Sequence, residues 1–137
     1  MTVPDAALLY ESDGYTIARE DLKGRHMVGD GFLRAVVAAA GKAPVRAYLS
    51  GRKAAENFRD RVAAIDPAAR TEAIRFGDFR TLASVGTLYL PGPGLDESAF
   101  LRARHGAAAF SIVGVTHTIS SHRAMEAIAN LLTAPTM

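Results

Sequence analysis

Short apolar runs and helical apolar spacings alternate along this chain. Five runs have the length and composition of β-strands. They occupy residues 6–10, 45–49, 71–76, 85–90 and 107–115. Turn-forming residues separate most of these runs from the next segment, and Pro-Gly-Pro-Gly at 91–94 stops the fourth. Strands that alternate with helices are typical of an α/β domain with a parallel sheet.

Apolar residues at helical spacing predict helices between these runs. The first predicted helix covers residues 32–40, follows a glycine-rich loop at 24–31 and ends at Gly41, a suitable C-terminal cap. The second follows Ser50, a residue that can cap its first turn, and ends before Pro67. Both helices are long enough to bury one apolar stripe against a sheet.

The remaining helices are predicted to be shorter. Residues 77–83 predict a connector of about one helical turn. The helix that begins near Asp96 is expected to turn Phe100 and Leu101 toward the core. The last helix has apolar residues at helical spacing: Met125, Ile128, Ala129 and Leu132.

The apolar run at 107–115 is nearly uninterrupted, which is typical of a strand in a parallel sheet that is covered on both faces. With the other runs it predicts a three-layer open parallel sheet of about five strands with helices on both faces. The chain has 137 residues and no marked internal boundary. We therefore expect one domain that spans residues 1–137.

Composition and charge exclude several classes of protein. Apolar residues make up 49% of the chain and charged residues 22%, the balance of a globular protein. The net charge of +2 comes from scattered arginines without a dense basic cluster, so we expect no nucleic-acid interface. The absence of cysteine excludes disulfides, thiolate zinc sites and a cysteine nucleophile. The chain has neither a signal peptide nor the roughly 20 apolar residues of a transmembrane segment, which predicts a cytoplasmic protein.

A polar loop follows the last strand and carries Thr116, His117 and Thr118. Ligands of open parallel sheets bind beyond the carboxyl ends of the strands, where we expect His117 to lie. One imidazole and two hydroxyls suit the recognition of a polyol. A structural role for this histidine is the alternative. His26 and His122 have no carboxylates at metal-ligand spacing, so no metal site is predicted.

The glycine-rich loop before the first helix is a second candidate site. Gly29, Asp30 and Gly31 precede a predicted helix N-terminus, where backbone N–H groups favour anions. However, the loop lacks the Lys and Ser/Thr of a phosphate-binding loop, and Arg34 replaces the third glycine of a dinucleotide fingerprint. Two interpretations remain open: turn glycines with Asp30 as a helix cap, or a site that a neutral, sugar-like ligand approaches.

Several segments, taken in their order along the chain, resemble the N-terminal half of bacterial group 1 (family 4) glycosyltransferases. The matching segments are residues 10–15, 22–25, 29–34, 114–118 and 124–128. The resemblance implies a Rossmann-like domain that forms one half of a GT-B fold, in which two such domains face each other across a cleft. It also implies a retaining transferase that moves a sugar from a nucleotide-sugar donor to a sugar or lipid-linked acceptor, without a required metal or other cofactor.

The resemblance assigns roles to individual residues. It implies that Gly29 and Gly31 approach the donor phosphates, with Asp30 beside them, and that the catalytic residue His117 contacts the donor sugar between Thr116 and Thr118. The family binds the nucleotide mainly with a C-terminal domain, which residues 1–137 do not contain. We therefore expect an N-terminal fragment that has no transferase activity alone. A stand-alone α/β module that binds an anionic metabolite is the alternative, and an interaction or oligomerisation domain without a ligand is a third possibility.

Overall fold

The computed structural model describes residues 5–11, 24–116, 119 and 121–135. Within these residues five strands alternate with five helices. The strands are β1 (Ala7–Leu9), β2 (Val45–Leu49), β3 (Thr71–Arg75), β4 (Thr87–Leu90) and β5 (Ser111–Gly114). The helices are α1 (Gly24–Ala40), α2 (Gly51–Ile65), α3 (Phe79–Val85), α4 (Asp96–Ala103) and α5 (His122–Asn130).

All five strands are parallel and lie in the order β3-β2-β1-β4-β5. The short strand β1 is central: Leu8 lies opposite Ala47 of β2 on one side and Tyr89 of β4 on the other. The prediction of an α/β domain with a Rossmann-like parallel sheet of five strands is confirmed. Because the strands are parallel, their carboxyl ends all lie at one edge of the sheet.

Two apolar clusters cover the two faces of the sheet, which makes the fold three-layered. On one face, Leu33 of α1 and Phe58 of α2 pack against Leu8. On the other face, Leu82 of α3 and Phe110, just before β5, pack against Leu88. All six side chains are almost completely buried. Residues that alternate along the strands therefore enter opposite clusters, as the two-residue period of a strand requires.

Helix α1 begins at Gly24, not at residue 32, so the predicted glycine-rich loop at 24–31 is wrong. Gly29, Asp30 and Gly31 lie within the helix, and Asp30 is not its cap. Glycine in a helix interior costs about 1 kcal/mol relative to alanine. Here tertiary contacts outweigh that local preference, because Leu33 and Val37 of the same helix are buried in the core.

Helix α2 matches its prediction, whereas α3 is longer than predicted. Ser50 is the N-cap residue of α2, although its side chain makes no capping hydrogen bond. Asp78 caps α3 by accepting hydrogen bonds from the backbone N–H and the hydroxyl of Thr81. The hydroxyl bond, more than any other contact, lowers the pKa of the exposed Asp78 carboxyl. Gly86 ends α3 with a φ of 86°, a left-handed conformation that favours glycine.

The predicted inward orientation of Phe100 and Leu101 on α4 is wrong. These side chains are 52% and 41% exposed, whereas Ala99 and Arg102 are buried. The Arg102 guanidinium donates hydrogen bonds to the carbonyl oxygens of Phe110 (3.1 Å) and Pro135 (3.5 Å). The eight-residue helix has about two turns. The buried arginine therefore accounts for an orientation that apolar spacing did not reveal.

The run at 107–115 is a strand only over Ser111–Gly114, and it is not buried on both faces as predicted. β5 lies at the edge of the sheet, where Val113 is 46% exposed. The predicted apolar stripe of α5 is also largely open, since Met125 and Leu132 are 60% and 89% exposed. Asn130 of α5 instead donates a hydrogen bond to Asp96 of α4.

Substitution of two phenylalanines distinguishes the buried helix α2 from the exposed face of α4. Phe58→Ala should lower the free energy of unfolding by about 3–5 kcal/mol, because it opens a cavity in the core. Phe100→Ala should cost less than about 1 kcal/mol, because the side chain remains largely in solvent. Urea unfolding followed by circular dichroism measures both values. Equal losses would contradict this placement of α4.

Candidate functional site

The chain changes direction across the sheet between β1 and β4. From β1 it proceeds through β2 to β3, and β4 then returns to the other side of β1. Such a switch point is where open α/β sheets bind ligands, beyond the carboxyl ends of the strands. We call this region the switch-point edge, and define it by Tyr10 and Glu11 after β1, residues 91–95 after β4, and Val115 and Thr116 after β5.

The turn at 91–94 lies in the middle of the switch-point edge, because β4 is placed between β1 and β5. In the part of the chain that the structure describes, a β-carbon built on Gly92 or Gly94 would have no neighbour within 4 Å, and neither residue has a positive φ. The sequence identified this turn only as the end of the fourth strand. Its position beside β1 depends on the strand order, which local pattern does not reveal.

Gly114 allows the end of β5 to approach this turn closely. A β-carbon built on Gly114 would lie 2.5 Å from the Gly92 carbonyl oxygen and 2.5 Å from Leu95 Cδ2. Both distances are far inside van der Waals contact, so only glycine fits here without a shift of the turn. Gly114 thus brings the chain that leads into Thr116 against the turn at 91–94.

The structure places one of the three polar residues predicted after β5. Thr116 is exposed directly beyond the carboxyl end of the strand. His117 and Thr118 lie outside the described residues, so their predicted contacts with a ligand stay predictions. The predicted position of this loop at the carboxyl edge agrees with the end of β5 at Gly114.

Asp30 is held inside the protein by two arginines. The residue is only 5% exposed. Its Oδ2 atom accepts a hydrogen bond from Arg34 Nε at 2.7 Å, and its Oδ1 atom accepts one from Arg61 of α2 at 2.5 Å. Gly29 is buried in the same turn of α1, and Gly31 is exposed. The carboxylate therefore joins α1 to α2, and the proposed contacts of Gly29, Asp30 and Gly31 with substrate stay predictions.

Tyr10 anchors the carboxyl end of β1 beside this ion-pair cluster. Its side chain is 1% exposed, and its hydroxyl donates a hydrogen bond to Asn57 Oδ1 at 2.5 Å. Its ring packs edge-on against Phe58, with 5.0 Å between centroids. Burial raises the pKa of the Tyr10 hydroxyl, although the charge of Arg61 partly offsets this rise. The phenol therefore stays neutral and fixes the start of the loop after β1.

The charged residues on the described segments that directly follow β1 and β4 are acidic, whereas Arg52 and Lys53 at the start of α2 and Arg123 near the start of α5 are exposed and basic. Glu11 follows β1 and is exposed, and Asp96 and Glu97 occupy the first turn of α4 after the 91–94 turn. Arg34 and Arg61 are already engaged with Asp30. Among the described residues, this arrangement disfavours a strongly anionic ligand at the β4 side of the edge.

An apolar groove of about 720 Å³ lies between α1 and the strands β4 and β5 and extends toward the amino ends of the strands. Its walls include Phe32 and Val36 of α1, Tyr89 of β4 and Val113 of β5. Phe32 and Tyr89 stack with 3.6 Å between ring centroids. Burial raises the pKa of Tyr89. The groove carries few polar groups, and it lies where α1 leaves the strands β4 and β5 uncovered.

Two further properties concern the described part of the chain as a whole. It contains no group of three or more His, Asp or Glu side chains placed to hold a metal ion. No helix in the described ranges is both long and apolar enough to cross a membrane. The residues that remain available for chemistry at the switch-point edge are hydroxyls, carboxylates and backbone amides.

The Asp30 cluster predicts a loss of stability on neutralisation. Asp30→Asn should lower the free energy of unfolding by roughly 1–3 kcal/mol, because Arg61 and Arg34 lose a buried acceptor of charge-assisted hydrogen bonds. Asp60→Asn is the control, since Asp60 is exposed on α2 and forms no ion pair with another described residue. Denaturant titration measures both variants. An unchanged midpoint for Asp30→Asn would show that the cluster does not join α1 to α2.

Close packing at Gly114 gives a second prediction. Gly114→Ala should cost about 1–3 kcal/mol of unfolding free energy, because the added carbon overlaps the Gly92 carbonyl and Leu95. Gly94→Ala adds the same atom in open space and should be nearly neutral. Thermal unfolding of both variants tests the contrast. Equal stability would place the end of β5 farther from the turn than the structure does.

Comparisons with known proteins do not assign the chain to a family. No protein-family model, curated protein or solved structure matches it. The motif resemblance to group 1 glycosyltransferases therefore depends on the residues of this chain alone.

Proposed function

We propose that the chain is the acceptor-side, N-terminal domain of a retaining glycosyltransferase. In this proposal the whole enzyme transfers a sugar from a nucleotide-sugar donor to a sugar or lipid-linked acceptor in the cytoplasm. The observation that supports it most is the position of the matching segments. The described parts of two of them, Tyr10 and Glu11 after β1 and residues 114–116 at the end of β5, lie at the carboxyl edge of one parallel sheet, on either side of the 91–94 turn.

The proposed chemistry assigns stabilisation of the transition state to the loop after β5. His117 would accept a hydrogen bond from a hydroxyl of the donor sugar, and this bond would strengthen as positive charge develops on the ring and makes that hydroxyl a better donor. Only an interaction that is stronger in the transition state than in the bound substrate accelerates the reaction. Thr116 and Thr118 would position the sugar hydroxyls around this contact.

In this proposal, the chain binds the acceptor and forms one side of the donor site. The nucleotide would be bound by a second Rossmann-like domain, and the reaction would take place between the two. Gly29, Asp30 and Gly31 retain a proposed role beside the donor phosphates, with Gly31 the most accessible of the three. The proposal therefore requires that residues 1–137 alone transfer no sugar.

The decisive prediction concerns His117. In the longest native reading frame that contains this chain, His117→Ala should lower kcat by about 100-fold or more, the cost of removing one preorganised hydrogen-bonding group. His122→Ala is the control, because His122 is exposed at the start of α5. A panel of nucleotide sugars, with product release followed for each, measures turnover in both variants.

Three outcomes would contradict this proposal. Unchanged turnover in His117→Ala would remove the catalytic role of that residue. Sugar transfer by residues 1–137 alone would contradict the division into two domains. If no nucleotide sugar is turned over and the 137-residue chain binds inorganic phosphate tightly, the chain is a stand-alone module for an anionic metabolite.

A further inference from the structure

Two glycines of the 91–94 turn are not explained by the fold. Gly77 and Gly86 have φ values of 93° and 86°, which favour glycine, and Gly114 is required by close packing. Gly92 and Gly94 have neither property: their φ angles are not positive, and a β-carbon on either would have no neighbour within 4 Å among the described residues. Glycine at such positions costs conformational entropy without a return in packing. A close approach by a ligand is a reason for it.

The turn also presents unused backbone donors. The prolines at 91 and 93 have no N–H group, and the N–H groups of Gly92 and Gly94 have no acceptor among the described residues. Leu95, the next residue, donates its N–H to the Pro93 carbonyl at 2.9 Å. The two prolines restrict the backbone, so the free amides are held in place before a ligand arrives.

The position of the turn and its surroundings limit the ligand chemistry. The turn lies between the carboxyl ends of β1 and β5, at the switch-point edge. Glu11, Asp96 and Glu97 lie on the segments next to it, and they would repel a phosphate or carboxylate. Neutral hydroxyl groups accept hydrogen bonds from amides and donate them to carboxylates, so they complement both features.

We propose that Gly92 and Gly94 form a binding surface for a neutral sugar, which is the acceptor sugar if the proposed transferase function holds. The bare backbone of the turn lets the sugar ring approach, the two amides donate to its oxygens, and the neighbouring carboxylates accept from its hydroxyls. Gly114 supports this surface from behind, through its contact with the Gly92 carbonyl. The inference depends on the proposed function only for the identification of this sugar as the acceptor.

The test is an amide titration of the ¹⁵N-labelled 137-residue chain by NMR. The probes are glucose, mannose, galactose and N-acetylglucosamine, with inorganic phosphate as the anionic comparison. At least one sugar should shift the Gly92 and Gly94 amide resonances, and phosphate should not. Gly92→Ala and Gly94→Ala should each weaken binding of that sugar by about tenfold, because the added methyl group blocks the close approach of the sugar ring to the amide.

Stability measurements keep this test specific. Both alanine variants should melt within about 1 °C of the parent chain, because surface changes in open space are nearly neutral. Gly114→Ala is the comparison that should melt lower. If Gly92→Ala and Gly94→Ala destabilise the chain as Gly114→Ala does, these glycines serve the fold and the inference is wrong.

The remaining outcomes separate this inference from the proposed function. No response to any sugar, unchanged affinity in both variants, or a response to phosphate alone overturns the sugar surface, whether or not the longer reading frame has transferase activity. Specific amide shifts without turnover of any nucleotide sugar would support the sugar surface and contradict the transferase.

Discussion

The burial of β1 between β2 and β4 is the constraint on which the rest of the structure depends. β1 has only three residues, and Ala7 and Leu8 are completely buried. Because Ala7 belongs to one apolar cluster and Leu8 to the other, this strand requires cover on both faces of the sheet. The same central position creates the switch point. Whatever follows β1 and β4 must emerge side by side at the carboxyl edge.

Gly114 converts this topology into a local site. Parallel strands alone bring the ends of β4 and β5 to neighbouring positions about 5 Å apart, and ordinary side chains there would keep the following loops separate. The missing β-carbon at Gly114 removes that obstacle and lets the Gly92 carbonyl and Leu95 lie against the end of β5. Gly114 is thus required by packing, whereas packing among the described residues does not require Gly92 or Gly94.

The sequence predicted what local periodicity encodes. The strands β2 and β3, the helix α2 and the parallel sheet follow from apolar runs and from spacing in the chain. The start of α1 was predicted wrongly because the ion pair from Asp30 to Arg61 of α2 and apolar packing outweigh the low helix propensity of glycine. The exposure of Phe100 was missed because a buried arginine orients α4.

Strand order explains the other gaps between sequence and structure. An apolar run of four residues reads the same in the centre of a sheet and at its edge, so the exposure of Val113 in β5 had no local signal. For the same reason the 91–94 turn was recognised as a strand end and not as a neighbour of β1. Thr116 lies exposed directly beyond the carboxyl end of β5, whereas His117, the residue expected at this edge, lies outside the described residues and its position stays a prediction.

Ion pairs within the chain affect which charges the candidate site presents to a ligand. Arg34 and Arg61 bind the two carboxylate oxygens of Asp30, so both guanidinium groups are engaged in internal ion pairs, and the pair with Arg61 joins α2 to α1. The acids at the start of α4 have no such compensation from a described arginine, and Glu97 is exposed to solvent. A chain with a net charge of +2 can therefore present an edge at which the segments after β1 and β4 are acidic. At such an edge, hydroxyl-rich neutral ligands bind without the repulsion that an anion would meet. Net charge is thus a poor guide to ligand chemistry in this fold, and the pairing of each arginine is the better one.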